Sequence, residues 1–424
     1  MKPYKTILLS LLPLLAQPVH AIDWEWGGVD NLWSNPDNWV GDEVPNGNTV
    51  EAAFLGSANV AIDVDQDFTI KNYLDGFGGE GFTHTLYGAG MLTIDTNSSI
   101  TALGINNATG NAGGTLRFNG FLTIQNTDAS GATTTIRNSN SAGNNLLFDT
   151  GCSLRLLTRL QTIQGVGGTI NFNCSFDASD ENLIINSNNV FFGNGHDSSG
   201  FGKDIVFFTG AKLTVDGGLV LNTGRKFQVN GNGAVLELNA PDAINDANVV
   251  VGGSNDFLLD VNADQSAMGV VNIADGELTV DVDPGLSNLF FKDSAGQAWG
   301  SGSISIIGFR ENTIRFGTDS NGLTQDQLAA IDGGSYTLTD SGYLTEGNLE
   351  IPAISLVLAP FPKISFLSTD GQIYQLQKSS DMSLGSWEDV VGQSVVGDGT
   401  QKTLLDSTGG PPGETKAFYR VETN

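Results

Sequence analysis

Along the middle of the chain, apolar and polar residues alternate in short bursts, each preceded by a turn residue. The bursts read Gly90-Met91-Leu92-Thr93-Ile94, Gly114-Thr115-Leu116-Arg117-Phe118, Gly151-Cys152-Ser153-Leu154-Arg155-Leu156 and Gly168-Thr169-Ile170-Asn171-Phe172. They continue as Gly210-Ala211-Lys212-Leu213-Thr214-Val215, Gly233-Ala234-Val235-Leu236-Glu237-Leu238 and Gly276-Glu277-Leu278-Thr279-Val280. Period two puts successive side chains on opposite faces of a strand, so each burst predicts a strand with one buried face. Weaker bursts around Ile136, Val190 and Leu258 fill the gaps, and between Leu92 and Leu278 a strand then recurs about every twenty residues. A unit that short cannot bury its own apolar face and has to stack on its neighbours. The pattern predicts an all-β fold, a parallel β-helix (solenoid) of about ten coils over residues 69–298. Asn-Gly, Asp-Gly and Gly-Gly pairs at 119–120, 216–218, 230–231 and 275–276 read as corners that require positive φ.

Both flanks differ from the repeat and read as covers for its open ends. Residues 22–68 hold Trp24, Trp26, Trp33 and Trp39, four of the six tryptophans. Residues 299–350 carry a helix signal, the capping box Thr324-Gln325-Asp326-Gln327 ahead of Leu328 and Ile331, with Gly333-Gly334 as its stop. A linker at 351–362, marked by Pro352, Pro360 and Pro362, precedes a last module at 363–424, whose alternating strands predict a small β-sandwich. Residues 1–21 read as a signal peptide. Lys2 and Lys5 precede the apolar run Ile7 to Leu15, and Val19-His20-Ala21 supplies small residues for cleavage after Ala21. That run is too short for the ~18–20 residues of a membrane span, and no later segment suffices.

Charge narrows the partners. The chain has 19 Lys and Arg against 47 Asp and Glu, a formal net charge of −28. Nucleic acid and anionic membrane need clustered cations, so neither is expected as a partner. For an exported protein the excess negative charge serves solubility, and divalent-cation binding has to be argued from spacing. The two cysteines, Cys152 and Cys174, lie about one coil apart and share the parity of the apolar positions. They either form a disulfide between coils or pack as small apolar residues.

The residues offer three kinds of candidate site. Asp63, Asp65 and Asp67 alternate, which places them on one strand face as candidate Ca2+ ligands. An EF-hand loop would have Gly and Glu where this chain has Phe68 and Leu74, so a solvated acidic edge is the simpler reading. Asp281 and Asp283 form a smaller pair, and Gly252-Gly253-Ser254-Asn255-Asp256 lacks a glycine of the calcium-binding nonapeptide. For catalysis, His84 and the loop Gly195-His196-Asp197-Ser198-Ser199-Gly200 lie in no nucleophile motif. Arg155, Arg159, Lys203, Arg225 and Lys226 could serve a polysaccharide lyase or hydrolase on a β-helix, but no carboxylate is set beside them at a recognisable spacing. For binding, Trp24, Trp26, Trp33 and Trp39 form either a stacking platform for sugar rings or a plug over the solenoid end. Trp387, Phe418 and Tyr419 read as core of the last module.

Three segments resemble a known group. Trp26-Gly27-Gly28, Asp30, Trp33-Ser34, Asn38-Trp39 and Pro45 resemble the start of secreted autotransporter-associated β-strand repeat proteins of bacteria. Ile306-Ile307-Gly308-Phe309, Ile314 to Asp319, Gly322-Leu323-Thr324, Gln327-Leu328 and Ile331 are similar to a segment of the same exported proteins, which there precedes a PEP-CTERM sorting tail. Tyr374 to Asp381, Trp387, Gly397-Asp398-Gly399 and Phe418-Tyr419-Arg420-Val421 resemble a module that replaces that tail. The resemblance implies an exported, surface-associated β-helical protein and carries over no catalytic residue. The polar ending Glu422-Thr423-Asn424 departs from the sorting type, so membrane sorting by that route is not expected.

The combined expectation is a secreted, non-enzymatic solenoid, structural or adhesive, with no cofactor. Extracellular polysaccharide or cell-envelope components are the expected partners. A carbohydrate-binding protein using the tryptophan flank is the alternative, and a polysaccharide lyase or hydrolase the third reading.

Overall fold

The computed structural model of the chain describes residues 24–54, 58–75, 81–95, 102–107, 114–127, 134–138, 145–164, 168–178, 182–194, 197–217, 219–220, 224–332, 336–346, 355–359, 361–380, 386–406 and 418–423. The expected signal peptide, Gly195-His196 and the Gly333-Gly334 helix stop lie outside these residues. The chain divides into two compact units, residues 1–345 and 346–424.

The first unit is a parallel β-solenoid of about 9 turns. Its first face is an 11-stranded sheet from Val60–Asp63 to Ser303–Ile307. A second face begins with Met91–Asp95 and a third with Ala102–Asn107. Both start from one long strand, Phe68–Asp75: its first residues pair with Leu92 to Ile94, its last with Ile105 to Asn107. The second face later continues through Leu219–Val220, Ile244–Asn245 and a three-stranded sheet of Gln265–Met268, Leu289–Phe291 and Ile314–Phe316.

Zero-shift register makes the stack self-reinforcing. On the first face Leu146 lies between Leu116 and Ile170, and Phe148 between Phe118 and Phe172. Since a one-residue slip would turn every apolar side chain outward, alternation and register fix each other. The rings of Phe118, Phe148 and Phe172 stack at 4.9 and 5.2 Å, tilted by only 12° and 19°. Those separations match the ~4.8 Å between hydrogen-bonded strands, so one aromatic per coil stacks without straining the ladder. One buried cluster runs from Trp33 to Leu344.

Several expectations change. The bursts belong to different faces: Leu92, Ile136 and Leu154 lie on the second and third faces, whereas Leu116, Ile170, Leu213, Leu236 and Leu278 lie on the first. The expected number of coils, about ten, agrees with the observed count of about 9 turns, although the bursts do not form one ladder. Leu258 faces outward and is half-buried, while Phe257 and Leu259 fill the core, because Asp256 and Asp260 fix the parity of that strand. The solenoid also exceeds 69–298 at both ends, since Val60–Asp63 opens the first face and Ser303–Ile307 closes it. Glycines at the corners have two roles. Gly120 has φ +70°, as a left-handed corner requires. Gly276 does not, and is needed because a Cβ there would overlap the carbonyl oxygen of Asn255 on the preceding coil.

Each end carries a segment unlike the repeat. Trp33 and Trp39 cover the first coils. At the other end the helix Gln325–Ala329 carries its capping box: Thr324 Oγ1 accepts the Gln327 N–H (3.2 Å) and Gln327 Oε1 accepts the Thr324 N–H (2.7 Å). Gln327 Nε2 also donates to the carbonyls of Ser294 and Gln297, pinning the helix to the last coils.

The second unit holds two three-stranded antiparallel sheets, one of Ser355–Ala359, Phe361–Leu367 and Gln401–Leu405, the other of Glu388–Val396, Ile373–Ser379 and Phe418–Thr423. Ile364, Phe366 and Leu404 of one share a core with Tyr374, Leu376 and Val390 of the other. The expected linker at 351–362 is in part a strand pair. Pro362 is tolerated there because it faces Leu358 on one side and lies beyond the pairing with Gln401–Leu405, which begins at Lys363.

Candidate functional site

At the head of the solenoid, buried Asn38 organises the tryptophan loop. Its Oδ1 accepts the N–H groups of Val29 (2.6 Å) and Asp30 (2.8 Å), and its Nδ2 donates to Asp30 Oδ1 and Leu32 O. The Leu32 N–H first, then the side-chain amides of Asn38 and Asn35, donate to the Asp30 carboxyl and hold it below the usual carboxylate range. The loop thereby drives Trp33 and Trp39 inward, to 0% and 2% exposure. Trp39 Nε1 donates to Trp33 O (2.8 Å), and Trp33 Nε1 to Pro45 O (3.3 Å). Trp33 packs edge-on to Trp39 at 4.8 Å and lies 5.7 Å from Phe68. Neither indole presents a face to a sugar ring. Trp26 is half-buried and edge-on to Trp39 at 5.0 Å; Trp24 lies in a short strand, its side chain outside the described residues.

The three alternating aspartates take separate roles. Asp65 accepts from Ser34 Oγ (2.5 Å) and Ser34 N (3.1 Å), tying the tryptophan loop to the first coil. Asp67 accepts the Met91 N–H at 2.9 Å. Asp63 is half-buried, and burial, then the charge of Asp65, raise its pKa. Asp63 and Asp65 line a shallow recess with Tyr87, Gly88, Gly120 and Phe121. Among the described residues no group of three or more His, Cys, Asp or Glu is placed to hold a metal ion.

His84 is wholly buried, its Nδ1 2.8 Å from Asp75 Oδ1 and its Nε2 3.0 Å from Ala58 O. Phe54 closes over the ring at 3.9 Å. The pair joins first-face and long strands as a structural tie, out of reach of any substrate. Cys152 and Cys174 stand opposite each other on consecutive coils, one residue before the register pair Ser153 and Ser175. Both are buried free thiols, packed rather than bridged. The hydrogen bond with Cys152, then burial, pushes the Cys174 thiol well above its ordinary value.

The cations singled out in the sequence do not share one strip. Arg155, on the second face, lies 3.6 Å from Asp177. Lys203, Arg225 and Lys226 stand at the start of third-face strands, where Asp204 Oδ1 accepts the Lys226 N–H at 3.1 Å. Arg159 lies at an exposed corner between those faces. On the first face Glu237, Asp260 and Asp281 stack in register. Burial, then Glu237 and Asp281, raise the pKa of Asp260, whereas Lys212 at 2.7 Å helps hold Glu237 low.

One constellation escaped the sequence reading. Late on the second face, Phe290, Lys292, Asp293, Arg315 and Asp319 surround a recess of about 320 Å³. Phe290 and Arg315 are register partners on neighbouring strands, and Tyr343 bridges to Arg315. The 25-residue step from Phe290 to Arg315 was the available signal, legible only once the coils are aligned face by face. The chain matches no family model, no curated protein and no solved structure.

Proposed function

We propose that this protein is an exported scaffold, a β-solenoid that serves as a structural or adhesive component of the cell surface or extracellular matrix. The observation that carries this reading is the continuous 11-stranded first face, whose paired strands keep like side chains above one another over a single core. Such a stack is stiff, grows by repetition and presents long uniform faces, which suits display and lateral contact. The signal-peptide pattern of residues 1–21 and the resemblance to autotransporter-associated repeat proteins support export, with polysaccharide or cell-envelope components as partners. The tryptophan flank is better read as a plug than as a sugar platform, since Trp33 and Trp39 are buried.

The test is a turnover assay. Protein beginning at Ile22 is incubated with a broad panel of plant, algal and bacterial polysaccharides, and reducing ends and unsaturated uronates are measured. No product above the background of a heat-denatured control is expected. Sustained product formation from any polymer would overturn the non-enzymatic reading.

A further inference from the structure

Arg315 is an unusual cation for so acidic a chain. Several other arginines of the solenoid are engaged: Arg117 pairs with Asp149, Arg155 with Asp177, and Arg310 donates to the carbonyls of Pro284 and Leu286, while Arg225, like Arg315, buries its Nε without an acceptor. Among the described residues the Arg315 guanidinium donates no hydrogen bond and meets no carboxylate within ion-pair distance, and its Nε is shut off from solvent without an acceptor. The group is nevertheless held in place. Its Cζ lies over the Phe290 ring, 4.0 Å from the centroid, and 5.8 Å from that of Tyr343, and these two rings meet edge-to-face at 5.7 Å. A half-buried guanidinium, oriented by aromatics with its donors unused, is a receptor prepared for a planar anion.

The surroundings narrow the anion. Lys292 extends the cationic side but is matched by Asp246 at 2.6 Å, leaving Arg315 as the cation of the recess lining that is not in an ion pair. Asp293 and Asp319 line the same space, each accepting one backbone N–H, from Ala295 (2.9 Å) and Asn321 (2.8 Å). A carboxylate accepts through several lone pairs, so both keep acceptor capacity toward the recess. A bare anion would gain Arg315 and be repelled by two carboxylates to which it offers no donor. A ligand with a carboxylate and neighbouring hydroxyls satisfies both halves, the carboxylate on Arg315 and the hydroxyls on Asp293 and Asp319. Sugars with a carboxyl group carry that combination. At about 320 Å³ the recess is at the small end of ligand sites and admits a short segment.

We infer that the recess of Phe290, Lys292, Asp293, Arg315 and Asp319 is a binding site for the uronic-acid units of an acidic polysaccharide. The scaffold reading concerns the stack as a whole; this site gives it a chemically defined attachment point. A failed binding test leaves the turnover test unaffected.

Isothermal titration of the full chain with an oligogalacturonate, and with its fully methyl-esterified counterpart, tests the inference. At ~0.15 M salt the Debye length is about 8 Å, so the net charge of the whole molecule is largely screened while a contact ion pair persists. The acid form is expected to bind, and the ester at least about tenfold more weakly, as for loss of one charge-assisted contact. Arg315→Gln should weaken the acid form by a similar factor with an unchanged melting temperature. Arg315→Lys, which keeps the charge but not the fork, should fall between. Equal affinity for acid and ester, wild-type affinity in Arg315→Gln, tighter binding of inorganic sulfate than of the oligosaccharide, or no heat with the acid form at millimolar concentration would each overturn it.

Discussion

Asp75 and His84 show how one buried contact sets a pH response. Asp75 is fully buried, its Oδ2 has no partner, and burial raises its pKa to about 6 against the opposing pull of His84. Between about pH 4 and 6 the folded chain therefore binds more protons at this site than the unfolded chain. By linkage, this group's contribution to stability is greatest below the lower limit and declines as pH rises through the upper one. The difference in unfolding free energy between the native chain and Asp75→Asn should therefore shift toward the variant from pH 4 to pH 6. Parallel curves for the two proteins in denaturant titrations would contradict the assignment. The cysteines give a second residue-scale prediction. Cys174, buried and with its thiol pushed high, and the buried Cys152 should stay silent to an aromatic disulfide reagent at pH 8 in reduced native protein, and both should react once it is unfolded. Rapid reaction of native protein would contradict their burial. Inward parity of both cysteines followed from alternation alone, but whether they bridge or pack did not, because either state fits two side chains facing each other across one coil.

At the scale of the element, close stacking constrains some corners independently of turn geometry. Gly276→Ala would force a Cβ into the Asn255 carbonyl, so it should cost about 1–3 kcal/mol or more by overpacking. Gly296→Ala, with open space around it and no left-handed φ, should stay within about 0.5 kcal/mol of the native chain. Similar melting temperatures for the two variants would show that the coils are not packed as described. The strands themselves were legible in the sequence because period-two alternation is a local signal. Their assignment to faces was not, because every face uses the same Leu, Ile, Val and Phe alternation and coil lengths vary. Leu258 illustrates the gap: its strand was correctly anticipated, yet Asp256 and Asp260 decide that Phe257 and Leu259 point inward. The recess at Arg315 was hidden for the same reason, since Phe290, Arg315 and Tyr343 meet only through register.

For the whole molecule, two units with separate cores imply separate unfolding. The core of residues 346–424 rests on Ile364, Phe366, Tyr374, Leu376, Val390 and Leu404, far fewer buried side chains than the solenoid has. This unit should unfold in its own transition with a smaller denaturant slope, because that slope scales with the surface exposed. Trp387, which lies under the Arg420 guanidinium at 4.6 Å, reports on it, and Trp387→Phe should remove most of that fluorescence change while leaving the solenoid transition in place. A single transition seen by every probe would contradict the division. Charge argued only against nucleic acid and anionic membrane as partners, and the regular stack is the physical ground for the scaffold proposal. Export and surface residence rest on residues 1–21 and on the resemblance, so they are best tested where the protein works. The decisive measurement is fractionation of producing cells, with intact-mass analysis of the protein from each fraction. The scaffold account predicts recovery from the surface or extracellular fraction as a chain beginning at Ile22. Recovery as an uncleaved chain confined to the cytoplasm would contradict it.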